Sequence, residues 1–235
     1  MYTCADCTIH ACDRENHEQL PKNCPIRNRE LTEAAFEVYE KKEFHKFYLV
    51  SAEVEAAGYT RWPRLKETIE FAKRMGYHRL GLAFCAGLAE EANIVAKVLR
   101  SHGFEVVSVI CKAGSIPKER VGIADEQKVE PGTYEPMCNP VGQAFLLNEQ
   151  KTEFNIALGL CVGHDSLFCR HSDALVTTLV AKDRAMGHSP CAAIYTAESY
   201  MKKMLEKTFF ILKYLSFTRV FNLPSEKVPA PPSPN

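Results

Sequence analysis

The sequence has no excess of charge of either sign: lysine plus arginine number 29, and aspartate plus glutamate also number 29. A protein that grips a phosphate backbone relies on a net positive field, so nucleic acid is not expected as its main partner. No run approaches the roughly eighteen consecutive apolar residues of a membrane span, so no span is expected. The opening Met-Tyr-Thr-Cys-Ala-Asp-Cys lacks the cationic and apolar regions of a signal peptide, which predicts a cytoplasmic protein. No repeat of solenoid period is present.

What is present can fill a core. The chain has 235 residues, 46% apolar and 25% charged, enough for one large domain or two modest ones. Against this background stand ten cysteines. A reducing compartment does not keep structural disulfides, and grouped thiols there more often serve metal or redox chemistry.

The cysteines divide the chain. Cys4, Cys7, Cys12 and Cys24 crowd the amino end, and the next sixty residues have none. This marks a cysteine-rich head at 1–28. Residues 29–76 read as a helical segment packed on the body, with apolar stripes at helical spacing, a break near Glu40 to Glu43, a stop at Gly58, Pro63 opening the next helix and a stop at Gly76.

Residues 77–199 then alternate short apolar runs with helices. Strands are expected at Arg79–Phe84, Phe104–Ile110, Glu153–Leu160 and Ala174–Ala181, and helices at Leu88–His102, Val141–Glu149 and Asp165–Ser172. Strand, helix, strand is a βαβ unit, so the fold class is α/β: a Rossmann-like, mostly parallel sheet flanked by helices. Phe104–Ile110 reads as a buried strand. The Gly- and Pro-punctuated interval from Lys112 to Met137 reads as a long functional or mobile loop. A terminal helix at 200–223 and a disordered proline-rich tail at 224–235 complete the chain.

In the head, Cys4-x2-Cys7 has chelate spacing, because two intervening residues let both thiolates point at one ion. Cys12 and Cys24 supply the other ligands, with His10 and His17 as substitutes. Four thiolates suit zinc and an iron-sulfur cluster alike. The polar segment between Cys12 and Cys24 has no core of its own and would need the ion to stay folded.

In the body, Cys85, Cys111 and Cys161 each follow directly on an expected strand. If the strands are parallel, their carboxyl ends share one edge, where open α/β folds bind ligands. Cys138, at the end of the long loop, can reach the same edge, so these four thiols are expected to converge. Helix amino termini nearby would stabilise thiolates or an anionic cluster. His164 and Asp165, and then His188, follow strand ends and are candidate acids, bases or ligands; the alternative for each histidine is a loop-ordering role. Lys112, Lys118 and Lys182 are candidate anion holders. Cys169 and Cys191 lack such placement and read as packing or surface residues.

Several of these stretches carry a resemblance: Gly81-Leu-Ala-Phe-Cys-Ala-Gly-Leu88 with Glu90, Ser108-Val-Ile-Cys-Lys112, Met137-Cys-Asn-Pro140 with Gln143 and Ala144, Gly159-Leu-Cys-Val-Gly-His-Asp-Ser-Leu-Phe168, and Ala181-Lys-Asp-Arg184 with Gly187-His188. With the head motif and Pro21-Lys-Asn-Cys-Pro25, the chain resembles a prokaryotic family of unknown function whose members are regarded as cysteine-rich metal-binding proteins. The resemblance implies metal binding and no particular activity. Ser189 stands where such proteins would carry asparagine in Gly-His-Asn-Pro.

The combined expectation is a protein with zinc or an iron-sulfur cluster in the head and a second site at the sheet edge, an iron-sulfur cluster in preference to zinc. A redox or sulfur-handling role and an electron-transfer or sulfur-transfer partner follow from that. The alternatives are a non-catalytic metal sensor or carrier, and a zinc hydrolase in which His164 or His188 replaces one thiol and an open position holds water.

Overall fold

The computed structural model describes residues 1–14 and 17–205. The expected proline-rich tail, and the terminal helix beyond Leu205, lie outside the described residues. After a head of short 3-10 turns come α1 (Arg29–Glu40), α2 (Lys42–Gly58) and α3 (Arg64–Met75). The α1–α2 break falls at Lys41, in extended conformation, and Gly76 caps α3 at φ +79°. Pro63 stands one place earlier than expected: it is extended at ψ 154° and precedes α3.

The body runs β1 (Arg79–Phe84), α4 (Ala89–Ser101), β2 (Glu105–Ile110), α5 (Pro140–Glu149), β3 (Phe154–Leu158), α6 (His164–His171) and β4 (Val176–Val180), followed by the short helices α7 (Pro190–Tyr195) and α8 (Lys202–Leu205). The strands form one sheet in the order β2-β1-β3-β4, every pairing parallel. The α/β expectation therefore holds. Among the described residues no helix is long and apolar enough to cross a membrane.

Alternation along the strands builds the two layers. Leu80 and Leu82 of β1 and Phe154, Ile156 and Leu158 of β3 pack with buried residues of α2, α3 and α4 on one face. Ala83, Ala157 and Leu160 meet Ala144, Leu147 and Phe168 of α5 and α6 on the other. The central strands β1 and β3 are buried almost throughout. Of the helical segment, α2 and α3 supply core residues, whereas α1 has none buried.

Two expectations are corrected. β2 is not a buried strand: it lies at the sheet edge and is mostly half-buried or exposed. β3 stops at Leu158 rather than Leu160, because Gly159 turns the chain at φ +66°. A side chain at Gly159 would also collide with Leu88, whose Cδ1 lies 2.0 Å from the Cβ position. The 112–137 interval is well tied down. Pro117 and Pro136 form an antiparallel bridge, Lys118 pairs with Glu135, and the buried Lys128 ammonium meets Glu119 at 2.5 Å, Asp125 at 2.8 Å and the Thr133 carbonyl at 2.8 Å.

Candidate functional site

The strand order places a topological switch point between β1 and β3: the chain leaves β1 for β2 on one side and later returns to pair β3 on the other. In open parallel sheets the crevice outside the carboxyl ends at such a point is the usual ligand site. The ladder continues into it. Cys85 N–H donates to Leu158 O at 3.1 Å, Cys111 N–H donates to Phe84 O at 2.8 Å, and Asn139 N–H donates to Cys111 O at 2.7 Å. Beyond β3, the Cys161 carbonyl accepts from the amides of His164 (2.9 Å) and Asp165 (3.1 Å), which starts α6. Cys85 and Cys111 thus directly follow their strands, and Cys161 lies three residues past the end of its own.

These bonds bring Cys85, Cys111, Cys138 and Cys161 to the wall of one tight recess, too small to admit a water molecule, with His164 and Gln143 also lining it. Cys85 and Cys111 are buried, and Cys138 and Cys161 are partly exposed. The surroundings supply donors and cations. Ala86 N–H donates to Cys111 Sγ at 3.3 Å, and Arg184 Nη2 donates to Cys161 Sγ at 3.1 Å. The Lys182 ammonium lies 3.5 Å from where a Cβ on Gly87 would stand. Lys112 Nζ donates to Pro136 O at 2.5 Å, beside Cys138.

Cys111 and Cys138 form a hydrogen-bonded thiol pair. That bond, against the opposing effect of burial and with help from the charges of Lys112 and His164, lowers the Cys138 pKa to about 5. The bond to Cys138 and burial push Cys111 strongly the other way. One thiolate shared with one thiol is the favoured state of the pair, because two adjacent buried sulfurs resist double ionisation.

Gln143 is fully buried, and its Nε2 donates to Phe84 O at 3.2 Å and Val109 O at 2.8 Å. Two carbonyl acceptors fix the amide orientation. Among the described residues its Oε1 has no partner, so a buried acceptor stands at the wall of the thiol recess.

Not every expected residue gathers there. His188 does not line the recess. Its Nδ1 accepts from Asp183 N–H at 3.1 Å, its own N–H donates to Asp183 O at 2.7 Å, and its backbone is left-handed at φ +64°. It orders its loop. Asp165 accepts from Ser166 N–H at 2.8 Å and does not line the recess either. Lys118 is spent on Glu135. Cys169 and Cys191 are exposed. In the head, Cys4, Cys7, Cys12 and Cys24 share a second pocket of about 340 Å³ with His10. His17 is exposed and does not line that pocket. Among the described residues no group of three or more His, Cys, Asp or Glu side chains is arranged to hold a metal ion.

Gln143 at the recess wall and Arg184, which donates to Cys161, were given no role by the sequence, where they stood only among the residues that carry the resemblance.

The model of a family described as protein of unknown function, DUF1847, matches residues 24–179. The chain belongs to this family. Within DUF1847 the match takes in all four recess cysteines and, of the head, only Cys24. The chain is also 44% identical over 203 residues to the uncharacterized protein MJ0455 of Methanocaldococcus jannaschii, covering 86% of this chain and 98% of that protein. The resemblance to a family of unknown function is thereby established, while neither description names a metal or an activity.

Proposed function

We propose that this DUF1847 protein is a cytoplasmic metal-centre protein with a redox or sulfur-handling role, holding an iron-sulfur cluster in the sheet-edge recess and zinc in the head. The observation that carries the reading is the convergence of Cys85, Cys111, Cys138 and Cys161, from four separate segments, on one recess at the switch point. Four thiols are the donor set of soft metals.

Four thiolates suit an iron-sulfur cluster as they suit zinc; the recess leaves no room for a water molecule as it stands, so its thiols would have to part to admit a cluster. The four cysteines would hold it, and the cluster would supply one-electron transfer when bound. The Ala86 amide and Arg184 donate to Cys111 and Cys161, and hydrogen bonds to ligand sulfur stabilise its negative charge. His164, at the recess wall, is placed to hold or release a proton beside them. Such a site would serve an electron-transfer or sulfur-transfer partner.

The test is anaerobic purification with iron, acid-labile sulfide and zinc measured per chain. Iron and sulfide in similar amounts, lost in a Cys85→Ala, Cys161→Ala double variant that keeps its head zinc, is the expected result. Lack of iron and sulfide after reconstitution, or full retention by the double variant, would overturn it. The presence of His164 among the thiols favours one second reading, a zinc hydrolase site with a mixed nitrogen and sulfur shell. X-ray absorption at the zinc edge separates the two.

A further inference from the structure

We propose that Cys111 and Cys138 form a redox-active dithiol that closes to a disulfide by exchange with small-molecule disulfides whenever the recess carries no metal. This is a reaction of the protein's own thiols and stands whether or not a cluster is the group the recess receives.

The pair is built, not incidental. Both thiols line one recess and act on each other's ionisation, and the Asn139 N–H bond to Cys111 O at 2.7 Å ties their backbones together, so an S–S bond of about 2.05 Å would form by side-chain rotation. The backbone around them is zipped. Met137 N–H donates to Ile116 O at 2.7 Å, Asn139 N–H donates to Cys111 O at 2.7 Å, and Asn139 Nδ2 donates to Ala113 O at 3.2 Å. Pro117 and Pro136 continue the zipper as an antiparallel bridge. The segments bearing the two thiols therefore run side by side in opposite directions. Of the other two recess thiols, Cys161 is engaged by Arg184.

Exposure sets the order of events. Cys138 is half-buried, whereas Cys111 is only 3% exposed, so Cys138 is the sulfur that a small molecule can reach. The Cys138 thiolate attacks one sulfur of a disulfide RSSR, forming a mixed disulfide and releasing RS⁻. Cys111 loses its proton and attacks the Cys138 sulfur, forming the 111–138 bond and expelling the second RS⁻. The two thiol protons end on the two released thiolates, so the dithiol gives up two electrons and RSSR becomes two RSH. The bond removes two of the four recess thiols and staples the base of the 112–137 loop, which closes the recess to metal until it is reduced.

The experiment uses the full chain, stripped of metal by a chelator under reductant, desalted anaerobically and exposed to oxidised glutathione. Tryptic mass mapping is expected to show a cross-link between the Cys111 and Cys138 peptides and loss of those two free thiols, reversed by dithiothreitol. In Cys111→Ser the reaction should stop at glutathione on Cys138, and in Cys138→Ser neither product should form. Should a variant fail to fold, acid quenching of the unmodified chain at short times reads the same order, the adduct on Cys138 preceding the cross-link. Linkage of either thiol to Cys85 or Cys161 instead, or a first adduct on Cys111, would overturn the proposal. Iron and sulfide content, measured separately, decides the cluster reading, so the two can fail independently.

Discussion

Gly81 faces Asn155 across the β1–β3 pairing, and a Cβ there would stand 2.0 Å from Asn155 Oδ1 and 2.9 Å from Leu147 Cδ1. Asn155 cannot easily swing aside, because its Oδ1 accepts from Thr152 Oγ1 at 2.7 Å in a fully buried setting. Overpacking of this kind costs about 1–3 kcal/mol; Gly81→Ala is expected to lower stability by that amount in urea unfolding, with no change in slope. Cys138 carries the pH prediction. Its folded pKa of about 5 lies below the ordinary thiol value of 9.0, so its ionisation favours the fold. That contribution is complete above the ordinary value and is lost as pH falls through about 5. Cys111, shifted upward, works the opposite way and costs stability as pH rises past the ordinary thiol range. Peptide-resolved alkylation of Cys138 should therefore hold its plateau down to about pH 6 and fall near pH 5, whereas an ordinary thiol with pKa near 8.5 is already mostly protonated at neutral pH. Lys112→Ala should move that midpoint upward by removing a charge that favours the thiolate. At this scale the sequence was legible for cysteines that directly follow strands and illegible for side-chain partners. Nothing in the spacing of Lys182-Asp-Arg184 told that Arg184 would meet Cys161, or that Asp183 would claim His188.

Among the elements, α5 has the most to do with the site, since it begins two residues after Cys138 and carries Gln143. Asn139 serves both ends of the joint. Its Oδ1 accepts from Gly142 N–H at 2.9 Å as the helix cap, while its Nδ2 and backbone N–H tie back to Ala113 and Cys111. Loss of such a cap costs about 0.5–2 kcal/mol. Asn139→Ala is thus expected to destabilise the chain by about that much in urea unfolding and, because the tie to Ala113 goes too, to speed alkylation of Cys138. Unchanged stability and reactivity would show that the cap is dispensable. The long loop depends on Lys128 in the same way. Its ammonium gathers Glu119, Asp125 and the Thr133 carbonyl, so Lys128→Ala should accelerate proteolysis between residues 118 and 135 while the helices of the body hold. Elements were readable from sequence wherever periodicity and breakers agreed, as at Gly58 and at Gly76. The order within the loop was not. It comes from contacts such as Lys118 with Glu135 and Pro117 with Pro136, whose partners are far enough apart in sequence that no local pattern announces them.

Across the whole molecule, the division of labour follows from where the core lies. Alternating strands and helices allowed the parallel sheet to be read from sequence, but not the order β2-β1-β3-β4, and it is that order which puts the end of β1 beside the turn after β3 at the switch point. Among the described residues, the two core clusters draw on positions from Val50 to Phe168 and take nothing from the head. Each fully buried Leu, Ile or Phe contributes about 1.5–3 kcal/mol, and of the described head residues only Ala11 is buried among the apolar ones. The body can therefore hold its fold without the head, whereas the head, whose four thiols line one pocket, is held by a few exposed hydrogen bonds such as Asn23 to Thr3 and Arg27 to the Leu20 and Pro21 carbonyls, so the proposed ion would supply most of its stability. Binding energy at such a site is folding energy. Chelator treatment under reductant is accordingly expected to expose the head to trypsin at Arg14, Lys22 and Arg27 while leaving the far-ultraviolet circular dichroism of the body and its urea midpoint nearly unchanged. Added zinc should restore protection of the head, and Cys4→Ser with Cys7→Ser should abolish that rescue. If the chelated and zinc-loaded chains were cut in the head at the same rate, the head would be held by something other than metal; a collapse of the body spectrum on chelation would mean that head and body fold as one unit.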